Sequence, residues 1–358
     1  MSSRRILITG GAGFVGASLA LELARRHGDW EIAALDSLHR RGSELNLRRL
    51  REAGVAFVHG DVREPADLQA AGAFDALLEC SAEPSVMAAA SGDTAFVVRT
   101  NLLGAYHCLE EAARRRAQVI FISTSRVYPV AAVNALLFTE SETRFELTAE
   151  QPTVGASGAG VAEGFPLEGA RTLYGATKLA AELLVAEYAE TYGLRTTINR
   201  CGVVAGPWQM GKVDQGVFTH WMTAFYFGRP LSYIGFGGAG KQVRDLLHIT
   251  DLVELIDDQL CRPEHWRGAT VNVGGGLASS LSLAETSRVC EEITGHHVEL
   301  GSDPQTRTGD VRIYISDCAG LGRYTDWKPS RGPREILGDI CSWISENERL
   351  VSDVLLNS

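Results

Sequence analysis

The stretch RRILITGGAGFVG, Arg4 to Gly16, decides how the rest of the chain is read. Its first half is a short apolar, partly β-branched run, the pattern of a buried strand. Its second half places Gly10, Gly13 and Gly16 at the turn into GFVGASLALELARR, whose apolar residues recur with helical periodicity. Glycines at such a junction permit a tight turn and let the backbone approach a pyrophosphate at the helix N-terminus. Turns of every kind collect glycine, so the triplet gains weight from its surroundings. A strand precedes it, a helix comes next, and Asp36 ends the second strand, EIAALD. A carboxylate there accepts the ribose hydroxyls of NAD and repels the 2′-phosphate of NADP. The HRR just after it, His39 to Arg41, is the feature that would instead hold a phosphate. The candidate cofactor contacts are Gly10, Gly13, Phe14, Val15, Gly16 and Asp36, with Asp61 of GDV placed to meet the adenine.

Outward from this loop, strand and helix patterns alternate. VAFVHGD, DALLECSA, QVIFISTS and LRTTINR read as the third to sixth strands. Between them lie the helical patterns SELNLRRLREAG, TNLLGAYHCLEEAARRR and TLYGATKLAAELLVAEYAETYG. The alternation implies βαβ units with right-handed crossovers, hence an α/β fold with a doubly wound parallel sheet. At 358 residues the chain exceeds what one core supports, so a smaller mixed α/β substrate domain is expected beside it. The expected boundaries are residues 1–200 plus a returning segment at about 241–276 for the NAD domain, and 201–240 with 277–358 for the smaller one. Residues 129–171 break the rhythm with the Gly- and Ala-rich GASGAGVAEGFPLEGA, and a segment of that length is usually functional.

The totals exclude several classes. A formal net charge of -10 argues against nucleic acid or an anionic membrane as partner, so an anionic substrate needs local arginines. The seven cysteines show no C-x-x-C pair and the nine histidines no metal spacing, which fits reduced thiols, no metal site and a cytoplasmic location. MSSRR leads straight into a strand, and no apolar run reaches the ~20 residues of a membrane span.

The chemistry is written in two places. Tyr174 and Lys178, in LYGATK, are four apart and so share one face of a helix. Free tyrosine, with a pKa near ~10, is a weak base at neutral pH, but a neighbouring ammonium and the positive nicotinamide ring both favour the phenolate. In FISTSRVYPV, Phe121 to Val130, the fifth strand ends in Ser123, Thr124 and Ser125, with Arg126 next.

Together with the glycine loop, these motifs resemble the extended short-chain dehydrogenase/reductase family over nearly the whole chain. The resemblance implies that Thr124 hydrogen-bonds the substrate hydroxyl, Tyr174 moves its proton and Lys178 holds the nicotinamide ribose. It implies NAD as cofactor and a nucleotide-diphosphate sugar as substrate. Arg244 in KQVRDLLHITD and Arg307 in RTGDVR would be the diphosphate ligands, since arginine reads phosphate oxygens bidentately. Dehydratases of the family carry Asp-Glu after the strand-five threonine, the pair that eliminates water; here those positions are Ser125 and Arg126. That favours epimerisation. The long insertion and Gly202 in NRCG, where 4-epimerases carry asparagine, favour the branch that inverts C2 of CDP-sugars, with a UDP-sugar 4-epimerase as the alternative and a non-catalytic NAD-binding protein behind it. Ser125, Arg126, Asn199, Gln209 and Gln215 are further candidate substrate contacts, as is Glu83 of ECSAEPSV, where Glu79 and Cys80 replace the His-Leu of many relatives. The family also implies a homodimer or homotetramer, formed by the helices near residues 100–114 and 172–192.

Overall fold

The computed structural model describes residues 4–84, 93–211 and 215–356. The chain divides into two compact units: Met1–Thr124, Leu173–Arg200 and Leu252–Thr270 form the first, and Ser125–Thr172, Cys201–Asp251 and Val271–Ser358 the second.

A seven-stranded sheet organises the fold. Its strands are β1 (Arg5–Thr9), β2 (Glu31–Asp36), β3 (Ala56–His59), β4 (Ala76–Glu79), β5 (Gln118–Thr124), β6 (Thr196–Cys201) and β7 (Ala269–Val273), in the order β7-β6-β5-β4-β1-β2-β3. β1 pairs in parallel with β2 on one side and β4 on the other, so the chain reverses its direction of travel across the sheet between β1 and β4. In doubly wound sheets, ligands bind beyond the carboxyl ends of the strands at such a reversal. Six of these strands are legible in the sequence; β7, ATVNV, joins as an edge strand contributed from far down the chain.

Three helices carry the residues that matter below. α1 spans Phe14–Arg26, α2 Gly104–Arg115 and α3 Leu173–Tyr192. A short helix, Thr94–Val98, and a π-helical turn, Arg99–Leu103, run directly into α2. The buried residues of α3 include Gly175, Lys178, Glu182 and Val185, a single stripe at three- and four-residue spacing. The core between sheet and helices gathers Leu7, Leu77, Phe121, Leu109, Val185 and Ile198.

In the second unit the strand Val243–His248 pairs in parallel with Val203–Ala205 and Ile313–Tyr314, and antiparallel with Ser280–Ser282. Val243–His248 belongs to the second unit, and the segment that returns to the first is Leu252–Thr270. The segment 129–171 contains two small hairpins, Phe138–Glu140 with Phe145–Leu147 and Ala156–Ser157 with Gly160–Val161. Among the described residues, no helix is long and apolar enough to cross a membrane.

Candidate active site

The glycine loop closes on itself tightly enough to exclude side chains. Gly10 has φ +61°, and a Cβ there would lie 2.8 Å from the carbonyl oxygen of Cys80. One at Gly16 would lie 2.2 Å from the carbonyl oxygen of Gly10. Both positions therefore require glycine. α1 begins at Phe14 with Gly13 as its N-cap, no capping side chain and no acid in its first turn. Its first N–H groups and the positive end of its dipole are left for an anion, which fits the pyrophosphate of NAD. The loop is braced from below by the buried Asn46, whose Nδ2 donates to the Ala12 carbonyl at 2.9 Å.

Asp36, at the end of β2, accepts the N–H of Ala12 at 3.0 Å and of Leu38 at 2.8 Å. Burial pushes its carboxyl up, against the pull of these backbone donors. Asp61 lies at the edge of a cleft lined by Ser37, His39, His59, Gly60 and Arg63. Burial raises its carboxyl, but a forked interaction with Arg63, at 2.6 and 3.0 Å, outweighs it and holds the group below the usual range. His39, which lines that cleft, packs its ring on Phe96, tilted by 35° with centroids 4.5 Å apart.

At the sheet reversal, Thr124 ends β5 while Tyr174 and Lys178 occupy the first turns of α3. Lys178 is only 1% exposed. Its Nζ lies 3.5 Å from Oε2 of Glu79, the last residue of β4, and 3.9 Å from the centre of the Phe121 ring. One turn on, Glu182 accepts from Arg200 Nε and Nη2 at 3.0 and 2.7 Å, and from the Ser123 hydroxyl. The polar stripe of α3 is thus matched group by group under the sheet, as buried charges require.

Glu83 comes shortly after β4. Its backbone N–H donates to Asn101 Oδ1 at 2.8 Å, and Asn101 Nδ2 donates to the Glu83 carbonyl at 3.1 Å and to Thr177 Oγ1 at 3.2 Å. Asn101 sits in the π-helical turn and is 1% exposed. π turns recur at functional sites because they re-aim one residue without breaking the helix.

The second unit holds the arginines. Arg244 donates to the carbonyls of Val311 at 2.6 Å and Val243 at 2.7 Å. Arg126 donates to the Gly309 carbonyl at 3.0 Å. Burial first, and then the neighbouring Arg126, push Arg244 down to about 9, while Asp310 pulls the other way. Asn134 fixes the same backbone stretch, donating to the Asp310 carbonyl at 2.9 Å and accepting the Arg312 N–H at 2.7 Å. Two guanidiniums held on one backbone segment, one of them deeply desolvated, form a locus that favours an anion. Arg307, two residues before Gly309, is half-buried.

The NAD dependent epimerase/dehydratase family matches residues 6–274. The chain belongs to that family. Over 356 residues it is 28% identical to the CDP-paratose 2-epimerase of Salmonella typhi, covering 95% of this chain and 99% of that protein. It is 31% identical to the dTDP-glucose 4,6-dehydratase of Mycobacterium tuberculosis (strain CDC 1551 / Oshkosh), covering 96% and 94%. Its structure resembles that of the Thermus thermophilus UDP-glucose 4-epimerase in complex with NAD, with a TM-score of 0.76 at 25% identity, covering 95% of this chain and 99% of the other. It is an NAD-dependent enzyme of the nucleotide-sugar epimerase/dehydratase type within the extended short-chain dehydrogenase/reductases.

Within this family frame, some residues singled out in the sequence stand elsewhere than expected. Asn199 is fully buried in the core, its amide exchanging two hydrogen bonds with that of Gln259 at 2.9 and 2.8 Å. The Asn199 amide is thus turned towards Gln259 inside the core. The Gln209 amide is likewise taken up inside its own loop, by the Val204 carbonyl at 2.9 Å and the Thr219 hydroxyl at 2.7 Å. Trp208, at φ +70°, packs against Trp343. Gln215 is half-buried just after the segment 212–214, which lies outside the described residues. Gly202 sits tightly: a Cβ would lie 2.9 Å from both Asp245 Oδ1 and Ser316 Oγ, so one of those side chains would have to shift. Asn46, Glu79, Asn101 and Glu182 were not read from the sequence as site residues. Their partners lie between 18 and 99 positions away, and a lone polar residue in an apolar run carries no local signal.

Proposed function

We propose that the protein is an NAD-dependent epimerase of a nucleotide-linked sugar that inverts C2 through transient oxidation to a ketone. The observation that carries this reading is the identity of the two residues after Thr124. Elimination of water needs an acid and a base beside the sugar. Where dehydratases place that pair, this chain has the Ser125 hydroxyl and the Arg126 guanidinium, the latter bonded to the Gly309 carbonyl. Neither exchanges a proton at neutral pH. Reversible oxidation of one carbinol needs only a single proton-transfer group.

The residues present fit that lesser demand. Bound NAD supplies reversible hydride acceptance. The N-terminus of α1 and the side-chain-free loop at Gly10 and Gly16 hold its pyrophosphate, and Asp36 receives its ribose. Thr124 orients the sugar hydroxyl by a hydrogen bond. Tyr174 takes that hydroxyl's proton and later returns it, and the Lys178 ammonium stabilises its phenolate. Arg244, Arg126 and Arg307 grip the diphosphate, which leaves the sugar free to turn and present its opposite face. C2 of a CDP-linked sugar is favoured over C4 of a UDP-sugar by the likeness to the Salmonella 2-epimerase along nearly the whole chain. The side-chain-free position 202 supports the same choice.

Exposed Leu103 and Tyr106 on the helical stretch around α2, and Leu183 and Tyr192 on α3, support self-association through those helices. The reaction type is tested by mass spectrometry of CDP- and UDP-sugars incubated with the enzyme. Epimerisation yields a product of unchanged mass, resolved by chromatography. A product lighter by one water would establish dehydration and overturn the proposal.

A further inference from the structure

The Lys178–Glu79 pair stands at the point where the sheet order reverses. Glu79 is the last residue of β4, in register with Thr9 of β1 and Phe121 of β5. It is 2% exposed, and Lys178 is 1% exposed. The ammonium has three donors. Glu79 and the Phe121 ring, at 3.5 and 3.9 Å, bound two of its sides, so its remaining hydrogen-bonding capacity points where these neighbours do not.

We propose that Glu79 is a positioning residue for the cofactor: its buried ion pair keeps Lys178 charged and aims the ammonium at the nicotinamide ribose. This rests on the reading of Lys178 as the ribose ligand. An ammonium this deep without a counter-ion is disfavoured in its charged form, and burial alone drives such groups to shed the proton. The same holds for Glu79, whose carboxyl burial pushes up and Lys178 draws back down. Each group makes the other's charge tenable.

The other groups around the pair do not replace it. From α2 comes Cys108, whose thiol burial pushes far up and keeps neutral. β4 continues into Cys80 and into Ser81, whose backbone N–H helps hold the Glu79 carboxylate. β1 contributes the Thr9 hydroxyl, bonded to the Leu78 carbonyl. On α3 itself, Glu182 is engaged by Arg200 and Ser123. Among the described residues, Glu79 is the carboxylate that the structure places against Lys178.

The test is NAD affinity, measured by calorimetry from about pH 5 to about pH 9, a span that takes in the low pKa of a buried, unpaired lysine. It needs no sugar substrate. Wild-type affinity should hold level or strengthen with pH, since a Tyr174 phenolate favours the positive nicotinamide. That of Glu79→Gln should weaken as pH rises, reaching a roughly ten-fold loss, the worth of one charge-assisted hydrogen bond. Glu79→Asp, which keeps the charge but lengthens the gap, should weaken to an intermediate degree with the same trend, and decides the matter alone if the glutamine variant does not fold. Curves parallel to wild type, whether level or uniformly displaced, would overturn the proposal. Lys178→Met serves as the control. If it binds NAD as tightly as wild type at every pH, the reading of Lys178 is wrong; if it binds weakly while both Glu79 variants run parallel to wild type, only the role of Glu79 falls.

Discussion

Asn101 closes both hydrogen-bonding groups of the Glu83 backbone with one side-chain amide, accepting its N–H at 2.8 Å and donating to its carbonyl at 3.1 Å. A backbone segment leaving β4 is thereby fixed as firmly as if it were paired in a sheet. Replacing Asn101 by Ala should cost about 1–3 kcal/mol of stability, because the half-buried Glu83 N–H loses its acceptor. Denaturant unfolding measures it. A variant as stable as wild type would mean that the amide pairing contributes nothing net.

Tyr174→Phe should abolish nearly all turnover and leave NAD bound, since the ring still packs but no proton moves. Thr124→Val should be milder, because alignment is lost rather than proton transfer. Single-turnover assays with NAD quantified in the purified protein check both. Near wild-type turnover in Tyr174→Phe would remove the tyrosine from the mechanism.

Arg244 should trade stability for affinity. Its folded-state guanidinium sits at about 9, below its ordinary value of 12.5, so the unfolded chain binds that proton more tightly. The resulting penalty on the fold is fully present below about 9 and is relieved only as pH rises above it. Arg244→Met should therefore raise the Tm at neutral pH while raising KM for the nucleotide sugar more than it lowers kcat. A lowered Tm with unchanged KM would show a purely structural arginine.

The route of inversion can be read from solvent. If C2 itself is oxidised, its hydrogen leaves and returns as hydride and never meets water, so product formed in deuterium oxide carries ordinary hydrogen at C2. If a neighbouring carbon is oxidised instead, a base must remove the C2 proton, and Glu83, shortly after β4, is the carboxylate proposed for that role. Stoichiometric deuterium at C2, lost together with activity in Glu83→Gln, would establish that second route.

Legibility in the sequence tracks distance along the chain. The glycine loop, Asp36 and the Tyr174–Lys178 pair are local patterns whose geometry is set by one turn or one helix face. β7 falls in the segment expected to return to the NAD domain but is not marked there as a strand, because an edge strand so far along the chain has no periodic link to β6. Glu79 looked like a departure from relatives rather than a partner, since Lys178 lies 99 positions on. Which face of a strand a side chain takes depends on register, which a single strand's sequence does not carry; in β6 the Asn199 amide faces Gln259.

Gly202 ties the occupant of one position to two others. Any side chain there would begin 2.9 Å from Asp245 Oδ1 and Ser316 Oγ, so a substitution at 202 has to be met by a shift of one of those polar groups. Asp245 is itself buried and accepts the backbone N–H groups of Gly276 and Ser316. A change at 202 would therefore be felt in two other segments of the chain.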